Sequence, residues 1–454
     1  MARINDTELL AHYRKRFHAR PPTLRESPDK AVRLIVIIPV HDEPDLIPCL
    51  ESLENCRTPR GWTEILLVFN ASPDDAEAVH QQNRATRLQA EKWIAAQTNS
   101  PHRYHLLDFP DLPPKHAGVG LARKLGMDEG AHRLAQAGHL HNGLLICYDA
   151  DCSCSPNLLA AYAHHFEANP ESVACSTHFE HPLQGPLPSR QYAAAAAYEL
   201  HLRYYIEALR WARFPYALHT IGSSMAIRVR SYLRHGGMNR RKAGEGFYFL
   251  HKLMTHNRVT ELTEATVYPS PRASHRVPFG TGRAIGQTLD GRPPVSYSFQ
   301  AFRDLAAWMH VLQNLQQIPS PTGPLLRDSL PTSIATFLEN QHVERVQCEI
   351  LANTSSLEQY QRRLTQWFDG FRCMKFLNWV SREIYPEQPV LEAAGMHDLT
   401  RNMTPYPDNL PPNLFSLLDL YRVHQKNHPS GFPASAPAPA TEHGNRSSLH
   451  GDGA

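Results

Sequence analysis

Three apolar runs in the first third of the chain set the strongest limit on its fold: LIVII at 34–38, EILLVF at 64–69 and GLLICY at 143–148. None alternates polar with apolar residues, so each reads as a strand covered on both faces, as in a parallel sheet. Further short strands are expected at YHLLDF, 104–109, and SVACSTH, 172–178. Helix start signals lie between them. Ser72 precedes Pro73, Asp74 and Asp75, and Ser155 precedes Pro156, in each case a cap followed by a proline suited to the first helical position. Strand and helix in this alternation predict an α/β fold with a mostly parallel central sheet.

The remainder is predicted to be mainly helical. A long helix is expected over 190–212, with Tyr198, Leu202, Tyr205, Ile206 and Leu209 on one stripe and Glu199 four residues before Arg203. Aromatic residues on it, Tyr198, Tyr204, Tyr205 and Trp211, read as core rather than as a sugar-stacking face. A short helix is expected within GEGFYFLHKLMTH, and residues 290 to about 428 look mostly helical. The division expected is an N-terminal helical extension at 1–30, an α/β domain at 31–288, a helical region at 289–428 that is also a candidate homo-oligomer interface, and a disordered Pro/Ala/Gly/Ser tail at 429–454.

A net charge of +2 gives no electrostatic argument for nucleic acid. The first residues lack the apolar stretch of a signal peptide, and no window has the length of a membrane span, so a cytoplasmic protein is expected. The basic N-terminal helix, with Leu9, Leu10, Tyr13 and Phe17, reads as docking on the protein rather than on a membrane surface. Eight cysteines without a CxxC pair read as reduced thiols. A zinc site joining Cys152 and Cys154 to Cys175 and His178 lacks the usual ligand spacing.

Ligands of open α/β sheets bind beyond the carboxyl ends of the strands. Pro39, His41, Asp42 and Glu43 follow the first run, Asn70 ends the second, and Asp149 and Asp151 follow the third. Two aspartates one residue apart at a strand end are hard oxygen ligands suited to Mg²⁺ or Mn²⁺.

The ordered segments IVIIPVHDE, EILLVFNAS, KHAGVGLARKLGMDEG, DAD, GSSMAIR and GGMNRRKAGEGFYFLHKL together resemble the family 2 glycosyltransferases of GT-A fold, over about residues 31–286. The resemblance implies a metal-dependent transferase that moves a sugar from a nucleotide-diphosphate donor to a hydroxyl acceptor with inversion; a UDP-linked donor is favoured over a GDP-linked one, the amide of Asn70 being able to read either base. By position it places Pro39, His41, Glu43, Asn70 and Arg123 around the nucleotide, and Asp149 and Asp151 on a Mn²⁺ or Mg²⁺ ion with His275 as a further ligand. Arg272 and Arg276 suit phosphate oxygens, to which guanidinium can be bidentate.

The family usually carries Glu-Asp at the start of the later helix, the aspartate being the general base. This chain has Glu245-Gly246. Glu245 is therefore the candidate base, and the alternative is a nucleotide-sugar-binding homologue that has lost turnover at Gly246. A nucleotidyltransferase would need a glycine- and lysine-rich phosphate loop after the first strand, and His41-Asp42-Glu43-Pro44 is not one.

Overall fold

The computed structural model describes residues 6–58, 61–274, 276, 280–317, 329–396, 399, 403 and 413–429. The expected tail therefore lies almost wholly outside the described residues, as does His275.

In chain order the first half comprises α1 (Asp6–Phe17), β1 (Leu34–Val40), α2 (Ile47–Glu54), β2 (Thr63–Asn70), α3 (Glu77–Ala96), β3 (His102–Phe109), α4 (Val119–Gln136), β4 (Leu144–Cys147), β5 (Ser153–Cys154), α5 (Leu158–Ala168), β6 (Ser172–Phe179) and α6 (Ser189–Trp211). There follow β7 (Met225–Arg228), α7 (Val229–Arg234), α8 (Glu245–Met254), β8 (Arg258–Tyr268) and α9 (Thr281–Leu289). The C-terminal part holds β9 (Val295–Ser296), α10 (Phe299–Gln313), α11 (Thr332–Asn340), α12 (Val343–Leu351), α13 (Leu357–Trp367), α14 (Gly370–Glu383), β10 (Gln388–Pro389), α15 (Val390–Ala394) and α16 (Leu414–Asn427).

Among the described residues the main sheet has eight strands in the order β3-β2-β1-β4-β7-β6-β8-β5. Its β3-β2-β1-β4 half is parallel throughout. Antiparallel pairing enters at β7, which joins β4 to β6, and at the short β5, which pairs with β8. The fold is α/β, with helices on both faces. Strand β1 shows why its sequence does not alternate: Leu34, Val36, Ile38 and Val40 pack into one apolar cluster and Ile35 and Ile37 into the other, on the opposite face.

Helix α4 comes unusually close to the sheet. A Cβ on Gly126 would lie 2.5 Å from Ile37 Cγ2 and 2.8 Å from Val68 Cγ2, and one on Gly130 would lie 2.8 Å from Leu145 Cδ2. These two glycines, four residues apart, form the flat side of the helix that sits on β1, β2 and β4. Farther along, Arg133 of α4 pairs with Glu64 of β2 at 2.5 and 2.7 Å, with both side chains almost wholly buried. Burial alone would raise the Glu64 carboxyl, but Arg133 and His105 outweigh it and hold it down at about 2.

Three details differ from the sequence reading. Ser72 does not cap α3: its hydroxyl and backbone close a local turn with Asp74 and Asp75, and the helix begins at Glu77. Ser155 does not cap α5 either; its hydroxyl accepts the Thr266 N–H of β8. Both serines sit where a cap is expected, but tertiary partners and turn geometry claim them first. Strands β7 and β8 and the short β5 fall outside the five predicted strands. The N-terminal helix docks on the protein, with Tyr13 buried and its hydroxyl donating to Asp128 at 2.6 Å. No helix among the described residues is long and apolar enough to cross a membrane.

Overpacking at Gly126 is expected to cost about 1–3 kcal/mol in Gly126→Ala, read by denaturant unfolding. Glu64 has a lowered folded value, so its pairing stabilises the fold above about pH 4.5 and the contribution disappears as pH falls toward 2. Glu64→Gln should accordingly lose about 3 kcal/mol at neutral pH, with the deficit closing in acid; a deficit independent of pH would contradict this assignment.

Candidate functional site

The site forms where β1, β2 and β4 end. Glu43, just beyond β1, is fully buried, and its Oε2 accepts from Arg272 at 2.6 Å and from Arg276 at 3.1 Å. Burial would raise this carboxyl; the Arg272 hydrogen bond and the Asp45 N–H outweigh it and keep it below the ordinary range. Arg276 also donates to the His41 carbonyl at 3.2 Å, and both arginines reach Asp151 Oδ2 at 3.5 Å. The Ser270 and Ser274 hydroxyls accept from Arg272 Nε and Arg276 Nε at 3.1 Å, aiming each guanidinium inward.

On the other side of the strand end, buried Arg123 of α4 bridges two acids. Its Nη2 pairs with Asp149 and its Nη1 with Glu245, the first residue of α8. Burial works against the Arg123 charge, but Asp149 more than compensates, so its value is raised and the group is a permanent cation. The guanidinium lies against Gly222, where any side chain would collide with it. Glu245 is itself buried, and among the described residues its Oε2 makes no hydrogen bond.

Carboxylate oxygens of Asp149 and Asp151 and the Cys152 sulfur all lie within 4.8 Å of one another. Burial and the neighbouring Asp149 push the Asp151 carboxyl up to about 6. Burial, with Asp151 and Asp149 alongside, holds the Cys152 thiol far above its ordinary value, so it is a neutral, soft neighbour. Two hard oxygen donors at one point fit a Mg²⁺ or Mn²⁺ ion with solvent or phosphate oxygens in its remaining positions.

The structure thus gathers two ion-paired groups, Arg123 with Asp149 and Glu245, and Arg272 and Arg276 with Glu43 and Asp151, which meet where Asp149 and Asp151 come together. Pro39 lies near the end of β1, and His41 Nδ1 donates to the Asn70 carbonyl, 2.9 Å away. Asn70 is buried, and its amide nitrogen donates to the Val40 and Val68 carbonyls at 2.9 and 3.1 Å, which leaves its side-chain oxygen as the atom to meet a ligand.

Residues beyond the sequence reading also shape the site. Asn83 of α3 donates to the Asn70 carbonyl and accepts the Asp42 N–H, both at 2.9 Å, holding Asp42 at a positive φ of 48°. A polar residue near the middle of a helix was the only local signal. The cysteine-zinc alternative is not built: Cys175 is buried in β6, His178 pairs with Glu180 at 2.9 Å, and Cys154 contacts Cys56 at 3.6 Å and Ser52 at 3.3 Å.

No protein-family model matches the chain, and no curated protein is a significant match. Among solved structures, it is similar to S. aureus TarS 1-349 in complex with UDP-GlcNAc, at TM-score 0.40 and 12% identity over 74% of this chain and 91% of that one. It is also similar to the mannosyltransferase PcManGT from Pyrobaculum calidifontis in complex with GDP-Man and Mn²⁺, at TM-score 0.36 and 17% identity over 87% of this chain and 96% of that one. At this distance the meaning of the site rests on its own residues.

Removing one partner of a buried ion pair leaves the other charge uncompensated. Arg123→Gln strands Asp149 and Glu245 facing each other, and a loss of about 3 kcal/mol or more in unfolding free energy is expected. Arg123→Gln,Glu245→Gln should recover a large part of it. A double variant as unstable as the single one would show that the two residues do not act as a pair.

Proposed function

We propose that the protein is a family 2 glycosyltransferase that uses Mn²⁺ or Mg²⁺ and transfers a sugar, with inversion, from a UDP-linked donor to an acceptor hydroxyl. One observation carries this reading: four carboxylates and three guanidiniums converge at the carboxyl ends of β1 and β4. Four negative charges against three positive leave one in excess, so a bound dication would turn the excess to one positive charge. Such a site favours a diphosphate.

Asp149 and Asp151 would hold the ion, which supplies charge neutralisation on the departing nucleoside diphosphate. His275 is proposed as its third protein ligand. Arg272 and Arg276 rest on Glu43 and Asp151 at 2.6–3.5 Å and are positioned to exchange those partners for phosphate oxygens. His41, Asn70 and Pro39 border the space assigned to the nucleoside. Glu245 is the proposed base: Arg123 fixes one of its oxygens, and the other is left for the acceptor hydroxyl. This orientation costs no reorganisation during the reaction.

Gly246 supports a working site. A Cβ there would lie 3.1 Å from the Thr220 carbonyl oxygen and 3.2 Å from Gly222 Cα, so α8 meets the backbone behind Arg123 through this glycine. The second reading, a nucleotide-sugar binder without turnover, draws on the pairing of Glu245 with Arg123, which stabilises the anion and weakens it as a proton acceptor.

The test is release of nucleoside diphosphate from a panel of UDP- and GDP-sugars, with Mn²⁺ and with chelator. Metal-dependent release from a UDP-sugar is expected, lost in Asp151→Ala and reduced by about 10²–10⁴-fold in Glu245→Gln. Gly246→Asp should lower turnover. A gain of activity in that variant would instead favour the binder, and Mn²⁺-independent nucleotide affinity would remove the aspartate pair from the site.

A further inference from the structure

Beside Glu245 the surface changes character. The segment Arg240-Arg241-Lys242 precedes α8 and is exposed, and none of the three makes an ion pair among the described residues. Arg241 and Glu245 both pack against Gly120, so this cationic segment borders the proposed base directly. The Arg241 guanidinium lies 3.6 Å from the centroid of the half-exposed Tyr248 ring. Tyr248 meets Phe371 of α14 at 5.7 Å, and Lys375 lies 4.6 Å from the Phe371 ring. Cation, ring, ring and cation thus follow one another in contact, the two rings tilted by 47° to each other, leading away from Glu245.

The same helix leads on to a groove. Tyr248, His251 and Thr255 recur at helical spacing along α8, and Gln366 of α13 donates to the Thr255 carbonyl at 2.8 Å. A groove of about 760 Å³ with polar and apolar lining in similar measure opens there, among Thr255, His256, Leu312, Glu358, Arg362 and Arg363, so its two arginines face one carboxylate. Arg362 and Arg363 are exposed and make no ion pair among the described residues. Ten residues of helix separate Glu245 from Thr255, about 15 Å, or roughly three sugar units of reach.

Resting on the transferase reading above, we infer that the acceptor is an extended anionic saccharide or polyol chain. Its reacting hydroxyl meets Glu245, its rings and backbone lie on Tyr248 and Phe371, and its charges meet Arg241, Lys375 and the arginine pair of the groove. Aromatic faces flanked by unpaired cations suit a polymer that alternates apolar ring or carbon faces with phosphate or carboxylate groups. A neutral glycan would leave these cations unmatched. The whole chain carries only +2, so the positive surface is local to this path rather than a general polyanion footprint.

The test measures binding of fluorescent oligomers of matched length to the full chain: a glycerol-phosphate oligomer, an oligogalacturonate, a neutral maltooligosaccharide and a single-stranded oligonucleotide. One or both anionic saccharide-type probes should bind at least about tenfold more tightly than the neutral one, and addition of salt should weaken them. The tighter of the two identifies phosphate or carboxylate as the recognised group. Arg241→Gln,Lys375→Gln and Arg362→Gln,Arg363→Gln should each reduce that affinity by about tenfold while melting temperature and UDP–Mn²⁺ binding stay unchanged. Equal affinity for the neutral probe, tighter binding of the oligonucleotide, or charge-removed variants that bind as the wild type would overturn the inference. UDP–Mn²⁺ binding is measured separately, so its absence in the wild type would count against the donor assignment and not against the acceptor surface.

Discussion

The site depends on one buried cation. Arg123 is carried by a helix that touches the sheet through Gly126 and Gly130, and its guanidinium ties the end of β4 to the start of α8. Glu245 could not be enclosed beside the partly exposed Asp149 without it, because a buried carboxylate with no cation and a second acid nearby is strongly disfavoured. Glycine at 120, 222 and 246 then becomes a packing requirement: each lets backbone or guanidinium approach where a side chain would intrude. Asp149 and Glu245 are consequently positioned by the same side chain. Any displacement of α8 is felt at Asp149.

Much of this was legible in local sequence and some was not. The three unbroken apolar runs located β1, β2 and β4 because strands covered on both faces need no polar alternation. Acids immediately after those strands were readable as a site because strand ends converge. The residues answering those acids were harder to pair. Arg272 and Arg276 were visible as phosphate-type residues, but their hold on Glu43, more than 220 residues away in sequence, is a product of the sheet order. Strand β8 was missed because charged and polar residues occur throughout RVTELTEATVY, which suits its partly exposed position near the sheet edge. The two serine caps failed for the opposite reason: the local signal was present and long-range or turn hydrogen bonds overrode it.

Helix α6 shows the same limit. Glu199 and Arg203 look like a solvated pair one helical turn apart, yet both are fully buried. Their environment is completed by Arg422, which donates to Glu199 at 2.7 and 2.8 Å, and by Gln425, which accepts from Arg203 at 2.7 Å and donates to Glu207 at 2.9 Å. Arg210 adds ion pairs to Glu207 and Glu261. Such networks contribute little net stability against an apolar alternative, but a partly satisfied one is costly, so they discriminate sharply between the correct docking of α16 and any shifted one.

That dependence gives the order of synthesis a physical role. When the ribosome has made the sheet and α6, the carboxylates of Glu199 and Glu207 still lack Arg422 and Gln425, more than 200 residues away in the unfinished chain. Until α16 emerges, these carboxylates hold only the partners made before it, His181 and Arg203 for Glu199 and Arg210 for Glu207. The buried network is thus completed by a helix synthesised long after the sheet, so a nascent chain can hold every strand before that network is closed.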